Sequence, residues 1–195
     1  MGLDAVLVEV ADTAEATALY AEARRRAVEA VDIVPAARTV LFSGAPDVDA
    51  LVASLAGWSL DASTSEDGPV VEVPTRYDGP DLDTVARLWQ MTTDEVVRTH
   101  TGTEMVVAFC GFAPGFAYCT GLPERLSVPR LDTPRTRVPV GSVGLAGSFT
   151  GVYPTASPGG WQLLGRTDLT LWDPSRAEPA TLSPGTRVRF VEVGR

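Results

Sequence analysis

The chain has 195 residues, 45% of them apolar, and a formal net charge of −9. This composition allows a globular fold with a buried core. No segment approaches the roughly 20 apolar residues that span a bilayer. The negative net charge argues against nucleic-acid binding, which needs a basic surface. Because the first residues include acids at Asp4 and Glu9 and no basic region, they do not form a signal peptide, and we expect a soluble, cytoplasmic protein without membrane contact.

Strand and helix patterns alternate through the first hundred residues. Capping patterns mark two helix starts, Asp12 with Glu15 and Thr92 with Glu95. The β-α-β-α-β order up to residue 77 is typical of a ferredoxin-like sandwich with one strand not identified. In chain order, the predicted elements are a strand over 3–10, a helix from 12, a strand over 34–42, a helix over 46–56, a strand over 70–77, and helices over 81–90 and 92–100.

Beyond residue 102 the pattern changes to short strands separated by turns. Twelve of the 18 glycines and ten of the 15 prolines lie after residue 103. Regularly spaced short strands predict a barrel or sandwich, so we predict an α/β domain over 1–101 and a β-barrel domain over 102–195. The predicted strands cover 105–110, 138–140, 143–149, 161–165, 170–172 and 187–193.

Several reaction classes are excluded by missing residues. The chain contains no lysine, so it has no Walker A loop and no Schiff-base lysine. One histidine and two cysteines, Cys110 and Cys119, make a structural zinc site improbable, and we predict no metal site. The single histidine, His100, has an ordinary pKa near neutrality. It is either a general base or substrate ligand, or simply the last residue of a helix.

Three arginines lie in loops stiffened by proline and glycine. Arg130 and Arg135 each follow a proline, and Arg166 follows a Gly-Gly-Trp turn. Residues 104–195 contain 7 acids and 9 arginines, against 18 acids and 7 arginines in residues 1–103. Planar guanidinium groups bind two oxygens of a carboxylate or phosphate. The alternative is that these arginines bind backbone carbonyls or an acid such as Asp132.

Glycine and aromatic residues near these arginines have two interpretations. The backbone of Gly159 and Gly160 either holds an oxyanion or phosphate or forms a tight hairpin turn. The aromatic residues Phe112, Phe116, Tyr118 and Trp161 either line a flat pocket or belong to the core, and core is the favoured interpretation for the two phenylalanines.

Several motifs in order carry a family resemblance. The sequence resembles the allophanate hydrolase subunit 1 family over 73–193, and only in outline before that. The family includes KipI kinase-inhibitor proteins and one of the chains of bacterial ATP-dependent 5-oxoprolinase. The motifs are V-P-T-R-Y-D (73–78), G-F-A-P-G-F-A-Y (111–118), P-R-L-D-T-P-R (129–135), V-P-V-G-S-V-G-L-A-G (138–147) and Y-P-T-A-S-P-G-G-W-Q-L-L-G-R-T (153–167). One departure is Thr186, where the family usually has aspartate.

The resemblance implies an α+β fold, with a ferredoxin-like domain followed by a cyclophilin-like β-barrel. It implies ATP-dependent opening of 5-oxoproline to L-glutamate by a complex in which this chain is inactive alone. Its partners would be the allophanate hydrolase subunit 2 protein, which is similar to the C component of 5-oxoprolinase, and a third chain similar to the A component. The alternatives are half of a biotin-dependent carboxyltransferase acting on urea or a related amide, and a KipI-like inhibitor of a histidine kinase.

The chemistry of lactam opening suggests roles for the candidate residues. A resonance-stabilised lactam needs donors for the developing oxyanion and a group that binds the substrate carboxylate. We therefore expect His100, in proton transfer or orientation, and Arg166 to take part in catalysis. The residues expected to bind substrate are Tyr118, Arg130, Arg135, Gly159, Gly160, Trp161 and Gln162.

Overall fold

A computed structural model describes residues 4–60 and 68–194 of the chain. The chain divides into two compact units, Met1–Gly68 and Pro69–Arg195. The sequence placed the boundary at 101–102 instead, and the difference arises because residues 70–102 pack into the core of the second unit. Within the described ranges, no helix has the length and apolar character needed to cross a membrane.

The described part of the first unit is a small three-stranded sheet with two helices. Its strands follow the order β1-β3-β2, and both pairings are antiparallel. The single strand predicted over 34–42 is in fact a hairpin, closed by a backbone hydrogen bond from Ala36 to Thr39 (2.8 Å). The elements are β1 (Ala5–Glu9), α1 (Thr13–Arg25), β2 (Asp32–Pro35), β3 (Thr39–Ser43) and α2 (Val48–Leu55).

Helix α1 begins where the capping pattern predicts. The Asp12 side chain accepts a hydrogen bond from the Glu15 backbone N–H (2.9 Å), which satisfies one unpaired donor of the first turn. Its apolar face, including Leu19, packs against Val40 and Phe42 of β3. Full burial of each such side chain contributes about 1.5–3 kcal/mol, so this amphipathic face holds the helix on the sheet.

The second unit contains a nearly closed, barrel-like sheet of seven strands. Their order is β11-β8-β9-β6-β5-β12-β4, and β10 and β7 form a separate ribbon. The elements are β4 (Val70–Thr75), α3 (Leu82–Trp89), α4 (Thr93–Gly102), β5 (Met105–Cys110), β6 (Ala117–Thr120), β7 (Arg135–Val138), β8 (Ser142–Ala146), β9 (Phe149–Val152), β10 (Ser157–Gly159), β11 (Gln162–Arg166) and β12 (Arg187–Glu192).

Strand β4 belongs to this sheet, which corrects its predicted place in an N-terminal sandwich. It runs parallel to β12, with Val73 opposite Phe190. Helix α3 covers the same core through Val85 and Trp89, and the Trp89 indole N–H donates to the Leu126 carbonyl (2.8 Å). The pairing partner of β4 is more than a hundred residues away, so local periodicity could not reveal it.

The segment after β4 closes the sheet. Arg76 and Arg166 exchange backbone hydrogen bonds of 2.8 and 2.9 Å, which joins the β4 edge to the β11 edge. Two glycines permit this approach: a Cβ at Gly165 would overlap the Arg76 carbonyl oxygen, and one at Gly79 would overlap the Leu163 carbonyl oxygen. Closure leaves little free sheet edge, which limits unwanted pairing with other chains.

Three further strand predictions are wrong in detail, and the one over 138–140 shares only Val138 with β7. The run predicted over 143–149 is a hairpin of β8 and β9, because Gly147 turns the chain with a φ of +58°. The run over 170–172 is not a strand, and Trp172 makes only an isolated bridge with Ala180. The strand predicted over 105–110 is confirmed as β5.

Candidate functional site

The candidate residues lie at two places in the second unit. Gln162 and Arg166 are the first and last residues of β11, so about 13 Å of extended strand separates them. Arg166 lines a pocket near the barrel closure. Trp161 belongs to an aromatic cluster on one face of the sheet, whereas Gln162 is paired opposite Leu145 of the barrel core and so lies on the other face. The structure therefore separates the two predicted catalytic residues from most of the predicted substrate-binding residues.

The first place, which we call the arginine pocket, has a volume of about 640 Å³. Its charged rim carries two arginines and three acids, and its apolar lining comes from α3 and α4. Arg166 donates to Asp78 at 2.8 Å, and these side chains are 60% and 50% exposed. The lining residues are Arg76, Tyr77, Asp78, Leu82, Thr93, Asp94, Val97, Arg166, Glu192 and Gly194.

His100 lies behind this pocket and not within it. The imidazole is fully buried, with Nδ1 2.7 Å from the Tyr77 hydroxyl and Nε2 3.2 Å from the Thr150 hydroxyl. The Phe190 ring lies 4.4 Å from the imidazole, centre to centre. Burial lowers the pKa of His100 to about 3. Burial, together with the charge of Glu192, raises the pKa of Tyr77, so both groups are neutral near pH 7.

Both ring nitrogens of His100 are therefore engaged by hydroxyl groups. A proton-transfer role would require direct access to substrate, and this geometry gives none. Orientation, the other role considered from the sequence, fits better because His100 fixes the hydroxyl of Tyr77 and Tyr77 lines the arginine pocket. The catalytic role itself stays a prediction.

The second place, which we call the aromatic site, comprises Tyr118, Arg130, Tyr153 and residues 159–161. Around Phe116, which is buried, Tyr153 and Trp161 pack edge to face and Tyr118 packs at a tilt. The Phe116 ring centroid lies 5.0 Å from Tyr118, 5.2 Å from Tyr153 and 5.2 Å from Trp161. Edge-to-face pairs contribute about 0.5–1.5 kcal/mol beyond burial, so this cluster is a rigid base.

Arg130 contributes a positive charge to the aromatic site. It is exposed, and across 4–60 and 68–194 it makes no side-chain hydrogen bond or ion pair. Burial raises the pKa values of Tyr118 and Tyr153, and the positive charge of Arg130 opposes this rise in both. A guanidinium close to two phenol groups above an aromatic base suits a small, flat carboxylate.

Arg135 has a structural partner, unlike Arg130. Its guanidinium binds both carboxylate oxygens of Asp81, at 2.7 and 2.8 Å, and the backbone N–H of Leu163 donates to the same carboxylate at 2.7 Å. Asp81 is only 7% exposed, and its carboxylate links the start of α3 to β7 through Arg135 and to β11 through Leu163. The predicted substrate contact of Arg135 stays a prediction, and its charge is already balanced.

Gln162 and the two glycines lie under the surface of the aromatic site. The Gln162 side-chain N–H donates to the Pro129 carbonyl at 3.1 Å, while its Oε1 is buried without a hydrogen-bond partner in the described part of the chain. Gly159 fits against the Tyr153 hydroxyl, where a Cβ would overlap it, and the Gly160 carbonyl accepts from the Leu131 N–H at 2.7 Å. An unpaired buried acceptor costs about 1–3 kcal/mol, but Gln162 is paired opposite Leu145 of the barrel core, so its predicted contact with substrate stays a prediction.

Phe112 is a residue whose exposure the sequence analysis missed. Its side chain is 62% exposed, whereas Phe116 is buried as predicted. Its backbone has a φ of +68°, which is strained for a bulky residue. Its ring meets Phe116 edge to face at 5.3 Å. The glycines at 111 and 115 on either side of it were the available signal, because they indicate a sharp loop.

The described ranges contain neither a metal-binding cluster nor an activated thiol. No cluster of three or more histidine, cysteine, aspartate or glutamate side chains there is placed to hold a metal ion. Both cysteines are free thiols. Burial raises the pKa of Cys110 to about 11 and that of Cys119 to about 12, so neither is an activated nucleophile near neutral pH.

Comparison with known families and proteins gives consistent matches. The family model of the carboxyltransferase domain, subdomain C and D, matches residues 1–182. The B component of 5-oxoprolinase from Escherichia coli O157:H7 is 48% identical over 137 residues, which are 69% of this chain and 63% of that protein. The protein of the same name from Bacillus subtilis (strain 168) is 46% identical over 127 residues, 64% of this chain and 53% of that protein. The chain thus spans between half and two thirds of these relatives.

Solved structures share the fold. The protein TTHA0988 matches 99% of this chain with a TM-score of 0.80 and 33% identity, and the match covers 40% of that chain. The urea carboxylase of Kluyveromyces lactis matches 97% of this chain with a TM-score of 0.68 and 22% identity, over 21% of that chain. At this identity the second match is evidence of the fold alone.

Proposed function

This chain belongs to the family of the carboxyltransferase domain, subdomain C and D, and from that premise we propose that it is one subunit of an ATP-dependent 5-oxoprolinase. The complex opens the lactam ring of 5-oxoproline by hydrolysis and releases L-glutamate. The observation that carries this proposal is the 48% and 46% identity to two proteins named as the B component of 5-oxoprolinase.

The aromatic site supports the same substrate on chemical grounds. 5-Oxoproline is a flat ring that carries one carboxylate, one N–H donor and one carbonyl acceptor. Arg130 supplies a guanidinium without a partner in the described ranges, and Tyr118 supplies a half-buried ring face. We assign the substrate carboxylate to Arg130, and the substrate contact of Gln162 stays a prediction. The backbone of Gly159 and Gly160 remains our candidate for the oxyanion.

The second candidate place has supporting roles in this proposal. Arg166 remains a candidate catalytic group, through its position at the rim of the arginine pocket. His100 orients Tyr77 through their 2.7 Å hydrogen bond. Arg135 holds the aromatic site against α3 through Asp81. Each assignment follows from contacts of the chain itself, and each can be tested by substituting the residue concerned.

The complete enzyme requires other chains. The relatives are named as one subunit of an enzyme, which implies further subunits, and we propose a protein similar to the C component of 5-oxoprolinase and a third similar to the A component. ATP supplies the phosphoryl group that activates the lactam oxygen. Because this chain has no lysine and no P-loop, we place the nucleotide site on another chain and expect the isolated chain to be inactive. The two free thiols fit a reducing cytoplasm.

We also propose finer fold assignments for the two units. The order β1-β3-β2 with two antiparallel pairings, together with α1 and α2, is the split β-α-β core of a ferredoxin-like domain. The barrel-like sheet of the second unit, capped by α3, fits a cyclophilin-like barrel. The first assignment requires a fourth strand beside β1, and a crystal structure of the chain would test it.

The decisive experiment is reconstitution of the complex. This chain is co-expressed with its candidate C and A components, and glutamate released from 5-oxoproline is measured with and without ATP. We expect release only when ATP and all three chains are present. Omitting each chain in turn provides the control for inactivity alone.

The same preparation separates the alternative functions. A well-formed complex that releases no glutamate but carboxylates urea with a biotin carrier would replace the proposal with the carboxyltransferase alternative. A chain that binds neither partner and inhibits a histidine kinase on its own would establish the regulatory alternative instead. Either result would overturn the oxoprolinase proposal.

A further inference from the structure

The barrel closure places two like charges side by side. Arg76 and Arg166 exchange both backbone hydrogen bonds, at 2.8 and 2.9 Å, as in a hydrogen-bonded antiparallel pair. In such pairs the Cα atoms are about 5.5 Å apart and both side chains leave the same face of the sheet. Both arginines line the arginine pocket. Like charges in this arrangement repel each other, so an anionic group between the two guanidinium groups would stabilise the pair.

The chain itself neutralises only part of this positive charge. Arg166 is paired with Asp78, but both side chains are at least half exposed, and such pairs contribute no more than about 1 kcal/mol. Arg76 is exposed, and its side chain makes no hydrogen bond or ion pair within the described ranges. A ligand carboxylate could therefore bind Arg76 and compete with Asp78 for Arg166 at little cost.

Acids occupy another part of the same pocket. Asp94 is in the first turn of α4 and Glu192 is the last residue of β12. Glu192 and Tyr77 both line the pocket, and the charge of Glu192 contributes to the raised pKa of Tyr77. Leu82 and Val97 supply apolar lining. The three acids outnumber the two arginines, so the pocket does not favour a simple anion such as phosphate.

A pocket with paired guanidinium groups, further carboxylates and apolar lining is complementary to a zwitterion. We propose that the arginine pocket binds a free α-amino acid, with its carboxylate between Arg76 and Arg166 and its ammonium group facing Asp94 and Glu192. The volume of about 640 Å³ lies in the range of small-molecule sites. This site is distinct from the aromatic site and does not depend on the proposed function.

Calorimetric titration of the complete chain tests this inference without any turnover. The ligands are L-alanine, L-glutamate and L-proline, then the N-acetyl derivative of the tightest binder, and inorganic phosphate. We expect saturable binding of at least one amino acid, at least tenfold weaker binding of its N-acetyl derivative because the ammonium group is lost, and weaker binding of phosphate.

Substitutions locate the site. Arg76→Gln and Arg166→Gln should each weaken binding of the amino acid at least tenfold. The control is Arg98→Gln, at an exposed position elsewhere on α4, which should not change the affinity. Circular dichroism and melting temperature show that each variant is folded. No saturable binding of any of the three amino acids, tighter binding of phosphate, an N-acetyl derivative that binds equally well, or unchanged affinity in folded Arg76→Gln would each overturn the inference.

Discussion

At position 100 a single imidazole is enclosed by hydroxyl groups and an aromatic ring, which holds it in the neutral form. Its Nδ1 and Nε2 contact the hydroxyl groups of Tyr77 and Thr150, so protonation would require the hydroxyl that donates to the bare ring nitrogen to rotate and accept instead. Burial lowers its pKa from 6.5 to about 3. The unfolded chain takes up this proton at a higher pH than the folded chain does, so His100 makes folding less favourable as the pH falls below 6.5.

We therefore predict an acid-dependent loss of stability from His100. Between pH 7 and pH 5 the free energy of unfolding should fall by about 2 kcal/mol more in the natural chain than in His100→Gln, because one proton is linked to unfolding. Denaturant titrations at several pH values measure the difference. Because this is the chain's one histidine, its ring resonances provide a second check and should not titrate above pH 5. A midpoint near 6.5 would contradict the buried neutral state.

Arg130 is the residue on which substrate binding at the aromatic site most depends. Loss of a charge-assisted contact made in the transition state should lower turnover of the reconstituted complex about 100- to 1,000-fold in Arg130→Ala. The matched control is Arg125→Ala, an exposed arginine in the turn Glu124–Leu126, which should leave turnover unchanged. Equal turnover in both variants would mean that the substrate does not bind at the aromatic site.

Phe112 combines exposure with a strained backbone, which is a pattern found at functional positions. Both Phe112→Ala and Phe112→Gly remove the ring that is 62% exposed. Only glycine relieves the φ of +68°, so the glycine variant should unfold with a free energy about 1 kcal/mol higher than the alanine variant. At an ordinary position alanine would be the more stable of the two. Thermal melting of both variants side by side measures the order.

At the scale of elements, the barrel closes only because two glycines let strands meet at backbone distance. Gly165→Ala should lower the free energy of unfolding by about 1–3 kcal/mol or more, since its Cβ would overlap the Arg76 carbonyl. Gly102→Ala is the control, because it lies at the end of α4 with nothing within 4 Å, and it should be neutral or slightly stabilising. Urea denaturation compares the two, and a stable Gly165→Ala would contradict the closure.

Elements defined by local chemistry could be predicted from the sequence, and elements defined by distant partners could not. The capping box of Thr92 with Glu95 is confirmed, as is the cap of α1 by Asp12. Strand β4 was predicted, but its pairing partner β12 lies more than a hundred residues further along the chain. The hairpin of β2 and β3 was missed because its turn contains no glycine, and that of β8 and β9 was missed although Gly147 forms its turn.

At the scale of the molecule, the family was predictable because its motifs are long and ordered, and that resemblance is confirmed. The candidate site was predictable as a set of residues but not as a geometry. Arg130 and Arg135 occur in one motif, yet Asp81 binds only Arg135. Sequence spacing cannot tell which of two nearby arginines has a buried partner, and so it could not separate the structural arginine from the free one.

The division of the chain gives the last prediction. All members of the barrel core lie at or beyond Val71, including Val85 and Trp89 of α3, so a fragment over 69–195 should fold alone and show a cooperative thermal transition. A fragment over 102–195, cut at the boundary predicted from sequence, loses β4 and both helices and leaves Phe190 uncovered, so it should not fold. Circular dichroism and heteronuclear NMR of the two fragments decide between the boundaries. A folded 102–195 fragment would contradict the division at Gly68, because it would mean that β4 and α3 are not required for the barrel.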